Sequence, residues 1–251
     1  MSGLKQGPLW DSIDMKTAIT SLGNAGVQVT HGGHTFLIDA FYRGFVGVAA
    51  SPWEGVKRIA KADAILVTHD HWDHFSPDAV AEASQRTGAV VIGPAPVISK
   101  LKGSLPVSSL LELEPAGRDR TGRYTGLRVE AAGLVVTAFR TLHSKAHNSY
   151  LVELLGLRVF HDCDNEHTEH FDVSALVNLD ALMLCPWRGS GWADFIGAIR
   201  PRNWFLIHMT AAELDEHESG TFFADICEKE PMESIALRPG DRCELSASGA
   251  S

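Results

Sequence analysis

The chain has little of what several functional classes require. Of its 251 residues only 22 are Lys or Arg against 31 Asp or Glu, a formal charge of −9 with histidine neutral. Without a basic arm or run there is little to neutralise phosphates, so no nucleic-acid partner is expected. Apolar runs are short. Even Ala181 to Cys185 stops at Pro186, well under the roughly 18 residues of a membrane span, and no membrane partner is expected. Met1 to Lys16 carries Lys5, Asp11 and Asp14 and lacks a secretory apolar core of roughly 7–15 residues, so a soluble, cytoplasmic protein is expected. The four cysteines, Cys163, Cys185, Cys227 and Cys243, make no C-x-x-C pair; no zinc ribbon or redox motif can be read, and reduced, mostly buried thiols are expected.

What is there is an ordinary foldable composition, 45% apolar and 21% charged, with no shift that marks a linker; one domain over residues 1–251 is expected. Thr17 to Asp39 reads as three short strands joined by a Gly-Asn-Ala-Gly turn and a Gly32-Gly33 hairpin. Ser51-Pro52-Trp53-Glu54 predicts a capped helix running to about Ala62, followed by a buried strand from Ala64 to Val67. Ser76-Pro77-Asp78 opens a second helix that Gly88 should stop, and Ala89 to Ile92 is another buried strand. This alternation predicts α/β layers, with an exposed turn region from Glu114 to Gly126. Val27–Asp39 and Tyr150–Asp162 are both strand, glycine turn, strand, each ending in Asp, which suggests two related halves.

The informative segment is Ala64-Ile-Leu-Val-Thr68-His69-Asp70-His71-Trp72-Asp73-His74, a buried strand running straight into H-x-H-x-D-H. In extended chain, residues two apart project the same way, so His69 and His71 can present imidazoles to one metal. The following turn brings Asp73 and His74 to a second. A strand's carboxyl end is where α/β folds place their sites.

These residues resemble the signature of the metallo-β-lactamase superfamily, and within it the L-ascorbate-6-phosphate lactonase-like branch. The resemblance runs from Ile19-Thr20-Ser21-Leu22-Gly23 through Phe36-Leu37-Ile38-Asp39 to the region around His208. It implies a four-layer αββα sandwich from two related halves, with a one- or two-metal site at one edge. It also implies three further ligands. The first is a histidine after the strand that opens the second half, His143, with His147 as competitor. The second is a bridging acid, Asp164, with Asp162 as competitor; Cys163 stands where relatives usually have glycine. The third is a histidine closing a late strand, His208. The implied set is His69, His71 and His143 on one divalent ion, Asp73, His74 and His208 on another, and Asp164 between, with zinc or manganese as the ion.

A site of this kind implies a hydrolase in which metal-bound hydroxide attacks an ester, lactone or phosphoester of a small molecule, with His69, His71 and Asp73 at the chemistry. Asp73 is also a candidate proton acceptor. Arg43, Arg188 and His147 are candidate substrate contacts. Asp39 reads as a hydrogen-bond acceptor behind the ligands, and His161, His167 and His170 as partners or proton donors near Asp164. Asn24 stands where many relatives carry histidine. The alternatives are a nuclease or phosphodiesterase, which the charge disfavours, and an iron-dependent oxygenase, disfavoured because Leu142-His143-Ser144-Lys145 departs from the G-H-T-x-x-H pattern. A homo-oligomer is left open, with the apolar residues around Trp187 and Trp192 readable as interface, pocket wall or core.

Overall fold

The computed structural model describes residues 15–44, 52, 54–186, 189–227 and 230–246. Fourteen strands fall into two seven-stranded sheets among the described residues. The first contains β1 (Thr17–Gly23), β2 (Gly26–His31), β3 (His34–Ile38), β4 (Ala64–Leu66), β5 (Val90–Gly93) and β6 (Leu110–Glu112) in that order. The second contains β7 (Gly126–Ala131), β8 (Leu134–Thr141), β9 (His147–Leu154), β10 (Leu157–Cys163), β11 (Ala181–Leu184), β12 (Trp204–Leu206) and β13 (Ser234–Ala236). The last strand, β14 (Arg242–Leu245), returns to the first sheet beside β1.

The two sheets repeat one topology. β1–β2–β3 and β8–β9–β10 are antiparallel, and β3 to β6 and β10 to β13 are parallel. The outermost partners, β14 on β1 and β7 on β8, are both antiparallel. Corresponding hairpins match in detail. Gly32-Gly33 (φ 53° and 80°) joins His31 to His34, and Leu155-Gly156 (φ 49° and 90°) joins Leu154 to Leu157. Both turns have two central residues with positive φ, the geometry whose twist matches antiparallel strands.

Alternation along the strands decides the layers. Val27, Val29, Phe36 and Ile38 face Val136, Tyr150 and Val152 in a core between the sheets. The opposite face of the first sheet, with Leu37, Ile65 and Val91, is covered by α1 (Pro77–Thr87) and α2 (Ala95–Leu101). The opposite face of the second, with Phe160, Leu182 and Trp204, is covered by α3 (Trp192–Ile199) and α4 (Ala211–Ser219). The result is the expected αββα sandwich. Trp192 is core, against Trp204, while Trp187 lies outside the described residues. No helix among the described residues is long and apolar enough to cross a membrane.

One local expectation needs correction. The helix expected from residue 51 to Ala62 is a single 3₁₀ turn, Glu54–Arg58. Gly55 weakens any helix there, and Ser51, which would cap it, lies outside the described residues. At α1, Ser76 sits at the cap position with extended backbone, but its hydroxyl makes no cap hydrogen bond; Pro77 sets the first turn and Gly88 (φ 77°) ends it.

Candidate metal centre

The strand β4 ends at Leu66, and the chain crosses the sheet edge as Thr68-His69 before turning back at residues 72–74. The turn is closed by the amides of His74 and Phe75, both donating to the His71 carbonyl, at 3.1 and 2.8 Å. Phe75 is buried and anchors the turn under α1, which leaves the side chains of His69, His71, Asp73 and His74 on the edge. Three ends of the second sheet meet them: His143 after β8, Asp164 after β10 and His208 after β12.

The seven side chains converge as two trios with Asp164 between them. The ligand-capable atoms of His69, His71 and His143 lie within 4.8 Å of one another, as do those of Asp73, His74 and His208. His71 Nδ1 is 2.9 Å from His69 Nε2 and 3.4 Å from His143 Nε2. Nitrogens bound to one tetrahedral ion at about 2.0–2.1 Å would sit about 3.3 Å apart, so this spacing suits a shared cation. In the other trio, Asp73 Oδ2 is 3.5 Å from His74 Nε2 and 3.3 Å from His208 Nε2. Asp164 stands between: its Oδ2 is 3.4 Å from both His143 Nε2 and His74 Nε2, and its Oδ1 is 3.7 Å from His208 Nε2. Of the competing acids, Asp162 points elsewhere, wholly buried and accepting from Ser149 Oγ (2.9 Å) and Asn165 Nδ2 (3.3 Å). Burial pushes its carboxyl up to about 7.

A buried network fixes the rings. Asp39 accepts from Thr68 twice, from its amide (2.8 Å) and its hydroxyl (2.6 Å), and Asp39 Oδ2 lies 2.9 Å from His74 Nδ1. Because the Thr68 hydroxyl spends its proton on Asp39, its oxygen accepts from His69 Nδ1, 3.0 Å away. One carboxylate therefore sets the tautomer of a histidine in each trio, leaving Nε2 as the free donor atom. Cys163 Sγ joins from 3.2 Å to Thr68 Oγ1 and 3.3 Å to Asp39 Oδ2, with its backbone in the left-handed region at φ 55°.

The charges also suit cations. Burial opposes ionisation of Asp164, Asp73 and Asp39, yet the imidazoles facing them hold all three below the ordinary carboxylate range: His74 beside Asp164 and Asp39, His208 and His74 beside Asp73. Burial depresses His69 and His71. It keeps Cys163 a neutral thiol, so the charges that raise His74 against its own burial are those of Asp164 and Asp39. Three carboxylates thus gather among these imidazoles, and His74 Nε2 is buried without a hydrogen bond. A surplus of buried negative charge and an orphaned ring nitrogen fit a donor set for divalent metal.

Other expected residues fall differently. His147 has no accessible surface. It sits behind the site, with Nδ1 2.7 Å from Thr141 Oγ1 and Nε2 accepting from the Asp164 amide at 3.3 Å. It therefore supports the Asp164 loop rather than a substrate, and burial holds it neutral, down to about 3. Arg43 is exposed on the rim, its amide bonded to the Trp72 carbonyl at 3.0 Å. Arg188 lies outside the described residues. His161 is buried under the β1–β2 turn, on the Ala25 carbonyl at 2.9 Å. His167 and His170 gather on the surface with Glu169, where Arg118 Nη1 lies 3.1 Å from His170 Nε2 and its charge opposes a cation. Asn24 proves a clamp: Nδ2 donates to the Asp73 carbonyl at 2.7 Å, and its own carbonyl accepts from the His208 amide at 2.9 Å. The parts of Thr68 and Asn24 carry no sequence signal, since both depend on neighbours distant in the chain.

Residues 34–213 match the family model described as the beta-lactamase superfamily domain. The chain belongs to the beta-lactamase superfamily. It is 34% identical over 155 residues to a metal-dependent hydrolase of Rubrobacter xylanophilus, covering 59% of this chain and 60% of that one. It is 27% identical over 238 residues to a metal-dependent hydrolase of Archaeoglobus fulgidus, covering 91% and 99%. The chain thus spans about three fifths of the first of these superfamily relatives and nearly all of the second. A solved metallo hydrolase from Ignicoccus hospitalis superposes with a TM-score of 0.66 at 17% identity, over 92% of this chain and 99% of that one, and shows the shared superfamily fold.

Proposed function

We propose that this superfamily member is a metal-dependent hydrolase of small molecules carrying an ester, lactone or phosphoester group. The observation that carries the reading is the pair of trios sharing Asp164. The relatives named as metal-dependent hydrolases support it. His69, His71 and His143 would hold one divalent ion and Asp73, His74 and His208 a second, zinc or manganese, with Asp164 common to both. Bound there, such ions supply Lewis acidity, lowering the pKa of water and polarising the scissile oxygen.

The chain's own groups do the rest. Asp39 and Thr68 hold His69 and His74 in the tautomers that present Nε2, and Asn24 and His147 hold the backbone of Asp73, His208 and Asp164. His71 and Trp72 lie exposed at the mouth, where substrate enters. Asp73, partly open to solvent, faces His74 and His208 as a ligand, and its depressed carboxyl makes it a weak proton acceptor. Elemental analysis followed by turnover on lactone, ester and phosphoester panels tests the reading. About two zinc or manganese ions per chain are expected, and His71→Ala or Asp164→Ala should cut the active substrate's rate by more than about 100-fold, since even supporting residues cost 10–100-fold. Variants that hydrolyse at the parent rate would sink it, and one iron per chain would favour the oxygenase.

A further inference from the structure

His143 is the one histidine of its trio delivered by the second sheet, and its Nε2 must offer a lone pair toward His71 and Asp164. That requires its proton on Nδ1. The Asp39 network does not hold this ring; Glu166 does, with Oε1 3.0 Å from His143 Nδ1. Glu166 is half-exposed, and an acid on a surface loop ordinarily needs no explanation beyond solubility. Its main chain argues otherwise. The Glu166 amide donates to the Leu142 carbonyl at 2.8 Å, next to His143, and the Glu166 carbonyl accepts from the Ser190 amide at 3.0 Å. Gly189 (φ 74°) packs so closely that a Cβ there would run into the Glu166 carbonyl. The Asp164 loop is thus clamped between residues 142 and 189–190, and the clamp aims the Glu166 carboxylate at one imidazole proton.

We infer that Glu166 is a positioning residue for His143: it fixes the ring's tautomer and orientation, so that Nε2 is the nitrogen offered to metal. The inference rests on the metal-centre reading above. A carboxylate behind a ligating histidine is worth about 10–100-fold in metal affinity. The single loop then delivers both the acid shared by the trios and, two residues later, the acid that sets a ligand of the first.

The test is a zinc titration of the metal-free chain in competition with a chromophoric chelator, which needs no substrate. Glu166→Ala should weaken one of two zinc-binding steps by about 10–100-fold and leave the other at the parent affinity. Glu166→Gln, which keeps an oxygen to accept the Nδ1 proton but not the charge, should recover part of the loss. Glu169→Ala, which removes this loop's contacts with His167 (2.8 Å) and the Ser190 hydroxyl (3.2 Å) but none with His143, should match the parent. Parent affinity at both steps in Glu166→Ala overturns the inference, as does a Glu169→Ala loss of equal size, which would assign the effect to the loop. A parent that takes up no zinc overturns the metal-centre reading itself.

Discussion

At the residue scale, single groups do double duty. Asp39, at φ 47° just beyond β3, is the clearest case: one buried carboxylate serves His74 directly and His69 through Thr68. Tyr150 does comparable work in the core. Its ring fills the space between the sheets, and its hydroxyl donates across it to the Val67 carbonyl at 2.9 Å, just before the ligand turn. Tyr150→Phe keeps the packing and strands a buried acceptor, so urea unfolding should show a loss of about 1–3 kcal/mol. Zinc stoichiometry should stay that of the parent. An unchanged urea midpoint would mean that the Val67 carbonyl finds another donor.

At the element scale, α4 shows how an element is fixed without much apolar surface; Leu214 is its buried residue. A capping box between Thr210 and Glu213 starts it. Its other end is tied to the β13–β14 connection by Arg238, whose Nε lies 2.7 Å from Glu218 and whose Nη2 lies 2.6 Å from Asp215. The hydrogen bond and charge of Arg238 hold the Glu218 carboxyl below its ordinary range. A depressed carboxyl stabilises the fold above its unfolded pKa and loses that contribution as pH falls through its folded one. Arg238→Met should therefore unfold at slightly lower urea than the parent at pH 7, and the two should converge below about pH 3. Because both partners are exposed, 1 M salt should shrink the gap as well. A gap constant from pH 7 to pH 3 would assign the effect to packing of the arginine stem.

At the scale of the whole molecule, the centre lies where the two sheets meet. His69, His71, Asp73 and His74 follow β4 of the first sheet, while His143, Asp164 and His208 follow strands of the second. An ion bound by either trio would therefore staple one sheet to the other. Binding to the folded state alone stabilises by about 2.7 kcal/mol when free metal is 100 times Kd. Removing metal with a chelator should accordingly lower the thermal midpoint, and zinc should restore it. In His71→Ala the response should shrink. A midpoint indifferent to chelator and zinc would show that metal does not link the sheets.

The sequence by itself determined the elements and much of the centre, because the signals involved are local. Strand alternation, paired positive-φ turns and the proline-to-glycine span of α1 are set by neighbours in the chain, and so is H-x-H-x-D-H, whose residues share one strand end. The capped helix before Ala62 failed for the same local reason, since a short segment with Gly55 sustains only one turn. Tertiary structure alone decided what depends on separation. It made Asp164, rather than Asp162, face both trios, because the left-handed Cys163 turns the chain between them. It buried His147, where spacing alone allowed a substrate contact. It also brought Thr68 to Asp39, Glu166 to His143 and Asn24 to His208, since partners far apart in the chain meet only once strands pair into sheets and, for Asn24, once the two sheets close on one edge.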